Sequence, residues 1–379
     1  MKAIKIVIGI LCLVSVWCII GPASAAEFEY TLHTGFHFDL WRSDADESGF
    51  QFHTPIEVAG RYDAFSLRVL SAVMYTETSP EGRDDVSVSN FADTKINASY
   101  EIIGRFPVDI LIGLDLNLPT GETRLSADDL LLYLDPDLVS ITQLGEGFNI
   151  NPTLVLGREW ERWAAGLGAG YVWRGSYDYS EEVEDYDPGN IFTLSAEVHY
   201  LLTSAWQARL FAQYADYGQD TVRDAAFYEE GDFMMIGVGL DYSAGPWETS
   251  VSLRSIQRAK SRFDEPSGGI LKEEANSHGD EWVADLFCRY ALDSRTTLKG
   301  LAQFLSIDAN DYPRGEDLYV GERQKFALGL AVARQLLANL SGEVGVKGFI
   351  VDDDETWYHP TSGRRYRGLS AAVTFTGTF

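Results

Sequence analysis

Cysteine is all but absent from this 379-residue chain, which has only Cys12, Cys18 and Cys288, and the first two lie in the opening apolar stretch. Without that stretch Cys288 stands alone, and a single thiol closes no internal disulfide, so stability has to come from elsewhere. Positive charge is scarce too. Thirty Lys and Arg face 57 Asp and Glu, a formal net charge of −27, which disfavours nucleic acid and anionic membrane surfaces as partners. Histidine numbers six. His33 and His37 share a strand face but sit about 13 Å apart along it, too far for one metal ion. His53, His199, His278 and His359 have no neighbour at ligand spacing. No Cys-x-x-Cys-His occurs, so the chain itself holds no c-type haem. The acidic runs do not match a calcium loop, and no cofactor is expected. Long apolar runs are missing after Ile20, where nothing approaches the roughly eighteen residues of a spanning helix.

The amino terminus carries Lys2 and Lys5, an apolar run from Ile6 to Ile20, and Ala23-Ser24-Ala25. A basic start, an apolar centre and an Ala-x-Ala site make a secretory signal peptide over 1–25, leaving 26–379 as one domain. Trp17 before Cys18 argues against a lipoprotein site. A secreted chain with no apolar helix is either a soluble fold or a barrel.

From Glu27 onward an alternating segment, a short turn, a second segment and a longer acidic loop recur, about sixteen segments in all. Val108, Ile110, Ile112, Leu114, Leu116 and Leu118 share one face, with Asp109, Gly113, Asp115 and Asn117 on the other. That is period two, the signature of a strand. Segments 91–103, 192–202 and 247–254 repeat it. In a soluble sandwich so many apolar faces would need a very large internal core; a closed barrel gives them to lipid instead. Tight turns fall at 62–65, 104–107, 159–163, 202–205, 244–246, 292–295 and 336–339, between longer loops, of which 119–147 is the longest. Tyr62, Phe65, Phe106, Trp160, Trp163, Trp206, Tyr242 and Trp247 cluster beside the short turns, as an interfacial girdle does.

The carboxyl end, Tyr366 to Phe379, sets Phe379, Gly377, Phe375, Val373, Ala371 and Leu369 on one face and stops on the aromatic. This resembles the closing strand of Gram-negative outer-membrane β-barrels, in which a terminal Phe is part of the signal read by the barrel-assembly machinery. The fold expected is therefore all-β, an antiparallel up-and-down transmembrane barrel of about sixteen strands in the outer membrane, facing lipid and lipopolysaccharide. The first strand follows the signal too closely for an amino-terminal plug, which argues against TonB-type transporters and the long-chain fatty-acid channels. Loop 119–147 resembles, in position and relative length, the third loop of sixteen-stranded porins, which folds inward and narrows the pore. Leu118-Pro119-Thr120-Gly121 is similar to a stretch found in a broad group of proteobacterial outer-membrane transporter barrels, a likeness running from about Gly113 to Gly175. The porin likeness implies a channel for small polar solutes, of a class that is usually trimeric.

On that reading Leu130–Leu134 docks on the wall while Asp128, Asp129, Asp135 and Asp137 border the opening. Arg68, Asp93, Glu101, Asp115, Arg209, Glu248, Arg254, Arg289 and Lys347 line a lumen of mixed charge. Acidic loops such as Glu181–Asp185 and Asp352–Glu355 favour cations at low salt, though such runs also serve to solvate a surface. Two other readings stay open. The barrel is a sleeve around a partner such as a multihaem cytochrome, or a rim-active hydrolase, for which Ser277-His278 is the nearest candidate pair. Cys288 alternates with the lipid face of its segment and reads as inert rather than reactive.

Overall fold

The computed structural model describes residues 28–265, 269–357 and 363–379. The signal segment and His359 lie outside the described residues.

Sixteen antiparallel strands close on themselves as an up-and-down barrel. In chain order they are β1 (Glu29–Ser43), β2 (Ser48–Tyr62), β3 (Phe65–Ser79), β4 (Val86–Phe91 continued by Thr94–Ile102) and β5 (Asp109–Leu118). Then come β6 (Asn149–Trp160), β7 (Trp163–Arg174), β8 (Ile191–Leu201), β9 (Trp206–Tyr217), β10 (Phe233–Ala244) and β11 (Trp247–Arg258). The last five are β12 (Glu281–Ala291), β13 (Thr296–Ile307), β14 (Arg323–Leu337), β15 (Leu340–Asp353) and β16 (Arg364–Thr378). Each strand pairs with its chain neighbours, and β1 pairs with β16 from Thr31↔Thr378 to Ser43↔Tyr366. Among the described residues the only helical piece is one turn of 3₁₀ helix at Asp129–Leu131.

Cross-strand register assigns every side chain to a face. In β1, His33, His37, Asp39 and Trp41 point inward, whereas Phe36, Phe38 and Leu40 point outward and stay exposed. The outward set continues around the wall through Leu67, Ile112, Leu154, Leu194, Leu240, Leu253 and Val346. Leu330, in the middle of β14, is 72% exposed. So many open leucines are intelligible only where hydrocarbon replaces water. At the short-turn end Trp163 packs on Tyr200, Trp206 on Tyr242 and Trp247 on Tyr290, with centroids 4.4, 4.7 and 4.5 Å apart. All three are directly opposed cross-strand pairs on the outer face, and they build part of the interfacial girdle. The tight turns take backbone conformations that suit them, with Asp63 at φ 52° and Gly245 at φ 57°.

Two features depart from the simple hairpin pattern. Strand β4 breaks at Ala92-Asp93, and the break shifts its register by one, so that Val86, Val88 and Asn90 share the inner face with Asp93, Lys95 and Asn97. The loops on the far side from the tight turns are not all irregular. Short strands at Tyr186–Asp187, Gln219–Val222, Ala225–Glu229, Arg262–Asp264 and Ile270–Lys272 form a separate five-stranded sheet. Where the two sheets meet, chains approach too closely for a side chain: a Cβ on Gly189 would fall 2.0 Å from the Gly218 carbonyl oxygen.

Because Leu330 lies midway along β14 on the lipid side, Leu330→Arg is expected to destabilise the barrel by about 2–4 kcal/mol. Urea unfolding of the protein folded into lipid vesicles measures this, and an unchanged midpoint would mean that the residue does not face hydrocarbon.

Candidate functional site

Loop 119–147 starts where Pro119 ends the ladder of β5, and both of its ends are held by one residue of the β4 break. The Asp93 carboxylate accepts from the N–H of Gly121 (2.8 Å) at the loop's start and of Glu146 (2.7 Å) at its finish. Asn117 donates to the same carboxylate and to the Gly147 carbonyl. Thr120 caps the arrangement by accepting from the Thr94 N–H. Gly121 is required here, because a Cβ would sit 2.0 Å from the Leu144 carbonyl oxygen.

From this clasp the loop runs against inward-facing wall residues. Leu132 and Leu144 pack on Met74 of β3, and Leu138 and Val139 pack on Trp41, Ala327, Phe349, Val351 and Tyr366. Leu134 touches both clusters, whereas Leu130 is left exposed. Polar groups fix the register. Gln51, fully buried on β2, donates to the Ile141 carbonyl (2.8 Å) and accepts from its N–H (2.7 Å), as a neighbouring strand would. Asp39 accepts from the Ser140 N–H, and Thr78 from the Tyr133 N–H. Tyr133 lies 5.6 Å from the Trp41 ring and its hydroxyl is 3.3 Å from that of Tyr366.

The four acidic residues of the loop fall into two pairs. Asp135 and Asp137 accept from Arg323 at 2.6 and 3.1 Å, and Lys325 reaches Asp137 at 3.0 Å. The other edge of the Arg323 guanidinium grips Asp353 with two parallel bonds of 2.6 and 2.7 Å. Asp129 instead closes a turn with Ser126, and Asp128 is exposed.

All of the wall candidates fall on the inner face by register, and most are paired across strands. Arg68 donates to Glu57 at 2.7 Å, Arg61 to Glu101 at 2.8 Å, Arg254 to Asp285 at 2.5 Å and Lys299 to Glu343 at 2.6 Å. Arg289 reaches both oxygens of Glu248, and Arg209 lies between Glu197 and Asp241 at 4.0 and 3.8 Å. Asp115 accepts from the amides of Asn97 and Asn151. Lys347 sits 5.9 Å from the centre of the Phe349 ring.

The inner face also carries apolar side chains that the sequence reading did not single out. Phe287 of β12 and Leu301 of β13 oppose each other and remain about 40% exposed to the lumen side, at 41% and 40%. Met235 opposes Ile256, and Val283 opposes Leu305. Several inner rings lie flat on glycines, which keeps them close to the wall. A Cβ on Gly49 would fall 2.3 Å from the Trp41 indole, on Gly368 2.0 Å from Phe349 and on Gly237 2.3 Å from Phe211. The signal for the apolar inner residues was present, since Phe233-Met-Met-Ile is apolar on both faces.

The histidines and the hydrolase candidate take definite places. His37 and His53 stack at 4.5 Å on the inner wall, and His33 meets the Thr376 hydroxyl. Among the described residues no cluster of three His, Cys, Asp or Glu has the geometry to hold a metal. The serine within reach of His278 is Ser261 rather than Ser277, at 3.4 Å. Ser261 is fully buried and already accepts from the Gly231 N–H, so no substrate reaches it. Phe379 lies on the outer face, stacked at 5.1 Å on Tyr30 and bonded to it through both backbone groups.

A family model described as "Putative MetA-pathway of phenol degradation" matches residues 65–265, just over half of the chain. No curated protein matches the chain. Among solved structures, OccK2 (OpdF) of Pseudomonas aeruginosa is 9% identical, with 93% of this chain and 98% of that chain covered and a TM-score of 0.48. The anion-selective porin of Comamonas acidovorans is 12% identical, with 94% and 100% covered and a TM-score of 0.42. An outer membrane channel of Pseudomonas putida F1 is 9% identical, with 95% and 100% covered and a TM-score of 0.39.

If the Arg323 cluster holds the loop, Arg323→Ala leaves three carboxylates facing a single Lys325, which costs about 3–5 kcal/mol in the docked state. Trypsin should then cut after Arg124 in the folded variant and spare the parent protein; equal resistance would show that the apolar contacts alone suffice.

Proposed function

The chain belongs to the putative MetA-pathway of phenol degradation family, and from that premise we propose an outer-membrane channel for small organic molecules, hydroxylated aromatic compounds among them, that pass beside loop 119–147. The observation that carries this reading is the character of the inner wall. Most of its charges are matched across strands, and between them lie open apolar surfaces at Phe287 and Leu301. A passage of matched charges and apolar patches suits a neutral solute with a ring and a polar handle better than it suits a bare ion.

Loop 119–147 supplies the narrowing. Most of its apolar side chains are spent on the wall, and Asp128 and Leu130 are among the exposed parts of the loop that can border the opening. Ion preference follows from two opposing layouts. The acidic outer loops attract cations toward the mouth, whereas the paired wall charges cancel one another along the passage. We therefore infer a weak preference, set at the mouth and screened by salt.

The sleeve reading is less favoured. The barrel already holds its own loop against the inner wall with two apolar clusters, and a threaded protein partner would have to displace it. The hydrolase reading lacks an accessible nucleophile beside His278. Assembly into trimers, as in the porins the sequence resembles, is open to test by mass measurement in detergent.

Single-channel conductance in a planar bilayer is the direct measurement. The intact protein should give a small stable current, and deletion of 122–144 should raise it severalfold, with a reversal potential near zero at high salt. Uptake of phenol into proteoliposomes should also rise. A folded barrel of either form that passes neither ions nor phenol would overturn the channel.

A further inference from the structure

On the side of the barrel away from the tight turns, a cavity of about 260 Å³ lies between the ends of β11–β15 and the loops that join them. Its floor is built from inward positions, including Glu281, Ile307, Arg323 and Asp353, and its roof includes His278 and Val320. The roof is tied down: the Val320 N–H donates to Asn310, and Val320 bridges Thr356.

Size and chemistry narrow what this cavity can take. An apolar cavity of about 150 Å³ holds a benzene ring, so there is room here for one ring with a substituent or two. Ile307 and Val320 offer apolar contact. The cations are already committed: Arg258 pairs with Glu281, and Arg323 grips Asp353 on one edge and the loop aspartates on the other. An anion arriving here meets no unspent positive charge. The carboxylates are different, because each has up to four acceptor positions, and Arg258 and Arg323 do not use them all. His278 is held below the usual histidine range by burial, with Arg258 adding to the effect, so its imidazole is neutral at pH 7 and adds no attraction for an anion.

We propose that this cavity is a binding site for a small neutral hydroxylated aromatic molecule, its ring between Ile307 and Val320 and its hydroxyl donated to Glu281 or Asp353. The inference rests on the channel reading for its biological sense, though not for its chemistry. Its position gives it a role, because Arg323 and Asp353 are both the wall of the cavity and the anchor of loop 119–147. A molecule held there waits at the seam where the loop meets the barrel.

The test uses phenol, which is neutral at pH 7, as the probe on the full-length barrel folded in detergent, with binding read by calorimetry and ligand-observed magnetic resonance. Binding should be saturable, should be lost in Ile307→Trp, which fills the cavity from the wall, and should not be displaced by benzoate. Val320→Trp fills it from the roof at a partly exposed site, so it reports even where the wall variant fails to fold. Non-saturable binding to the parent protein, or undiminished binding to folded Val320→Trp, would overturn the site. Conductance separates the two readings. An open channel that does not bind phenol leaves the passage standing and removes the site; saturable, variant-sensitive binding to a barrel that passes no current does the reverse.

Discussion

Everything in this molecule depends on the need to satisfy each backbone N–H and C=O inside hydrocarbon, where no water can do it and an unpaired group costs several kcal/mol. Strands meet that demand only if the sheet has no edge. The pairing of β1 with β16 over thirteen positions removes the edge, and Phe379 extends it by exchanging backbone bonds with Tyr30. Once the sheet is closed, the period-two alternation has one outcome. One set of side chains faces lipid, which is why leucines such as Leu330 lie open, and the other set faces a lumen it must share. Fold and passage therefore have a single cause.

Closure creates a second problem, because a barrel of sixteen strands is wide. The chain answers with its own loop. Apolar contacts hold the loop on the wall, and polar groups that bind its backbone fix its register. Asp93 binds both ends, Gln51 imitates a strand partner for Ile141, and Asp39 and Thr78 each accept one N–H. A segment without regular structure carries many backbone groups that need partners, and burying it against a wall is tolerable only where the wall supplies them. The break in β4 belongs to the same solution, since the register shift at Ala92-Asp93 turns Asp93 toward the loop ends and Val86 and Val88 toward its apolar side.

The barrel itself was legible in the sequence because period two, alternating loop length and a girdle of aromatics are each local, and all three agreed. Ile110 to Leu118 needs no tertiary information to be read as a strand with one lipid face. The faces of the charged residues were legible for the same reason. Their partners were not, because pairing is a matter of register between strands, and Arg254 meets Asp285 only once β11 and β12 are aligned. The loop shows the limit most clearly. Its length and place were visible, and Leu132 and Leu134 pack as the inward-folded loop implied, but Leu130 in the same run stays out. Asp135 and Asp137 read as free charges because Arg323 lies 188 and 186 residues away in the chain. The external sheet was hidden too, since strands of two to five residues are too short to show a period.

The matched charges of the wall bear on what can pass. An isolated charge on a pore wall attracts its counter-ion and sets a selectivity; two opposite charges within 3 Å leave only a short-range dipole, whose field falls off faster than that of a charge and is soon screened by salt. Arg68 with Glu57, Lys299 with Glu343 and Arg289 with Glu248 all take this form. Such pairs still hold water and still offer hydrogen bonds, so a hydroxyl can move from one to the next. Phe287 and Leu301, open beside them, give a ring somewhere to lie while it does so. An ion gains little from such a wall, and a purely apolar molecule must strip ordered water from the pairs to use it. A small neutral molecule with both a ring and a hydroxyl meets neither penalty, and that is the physical ground for the solute class proposed above.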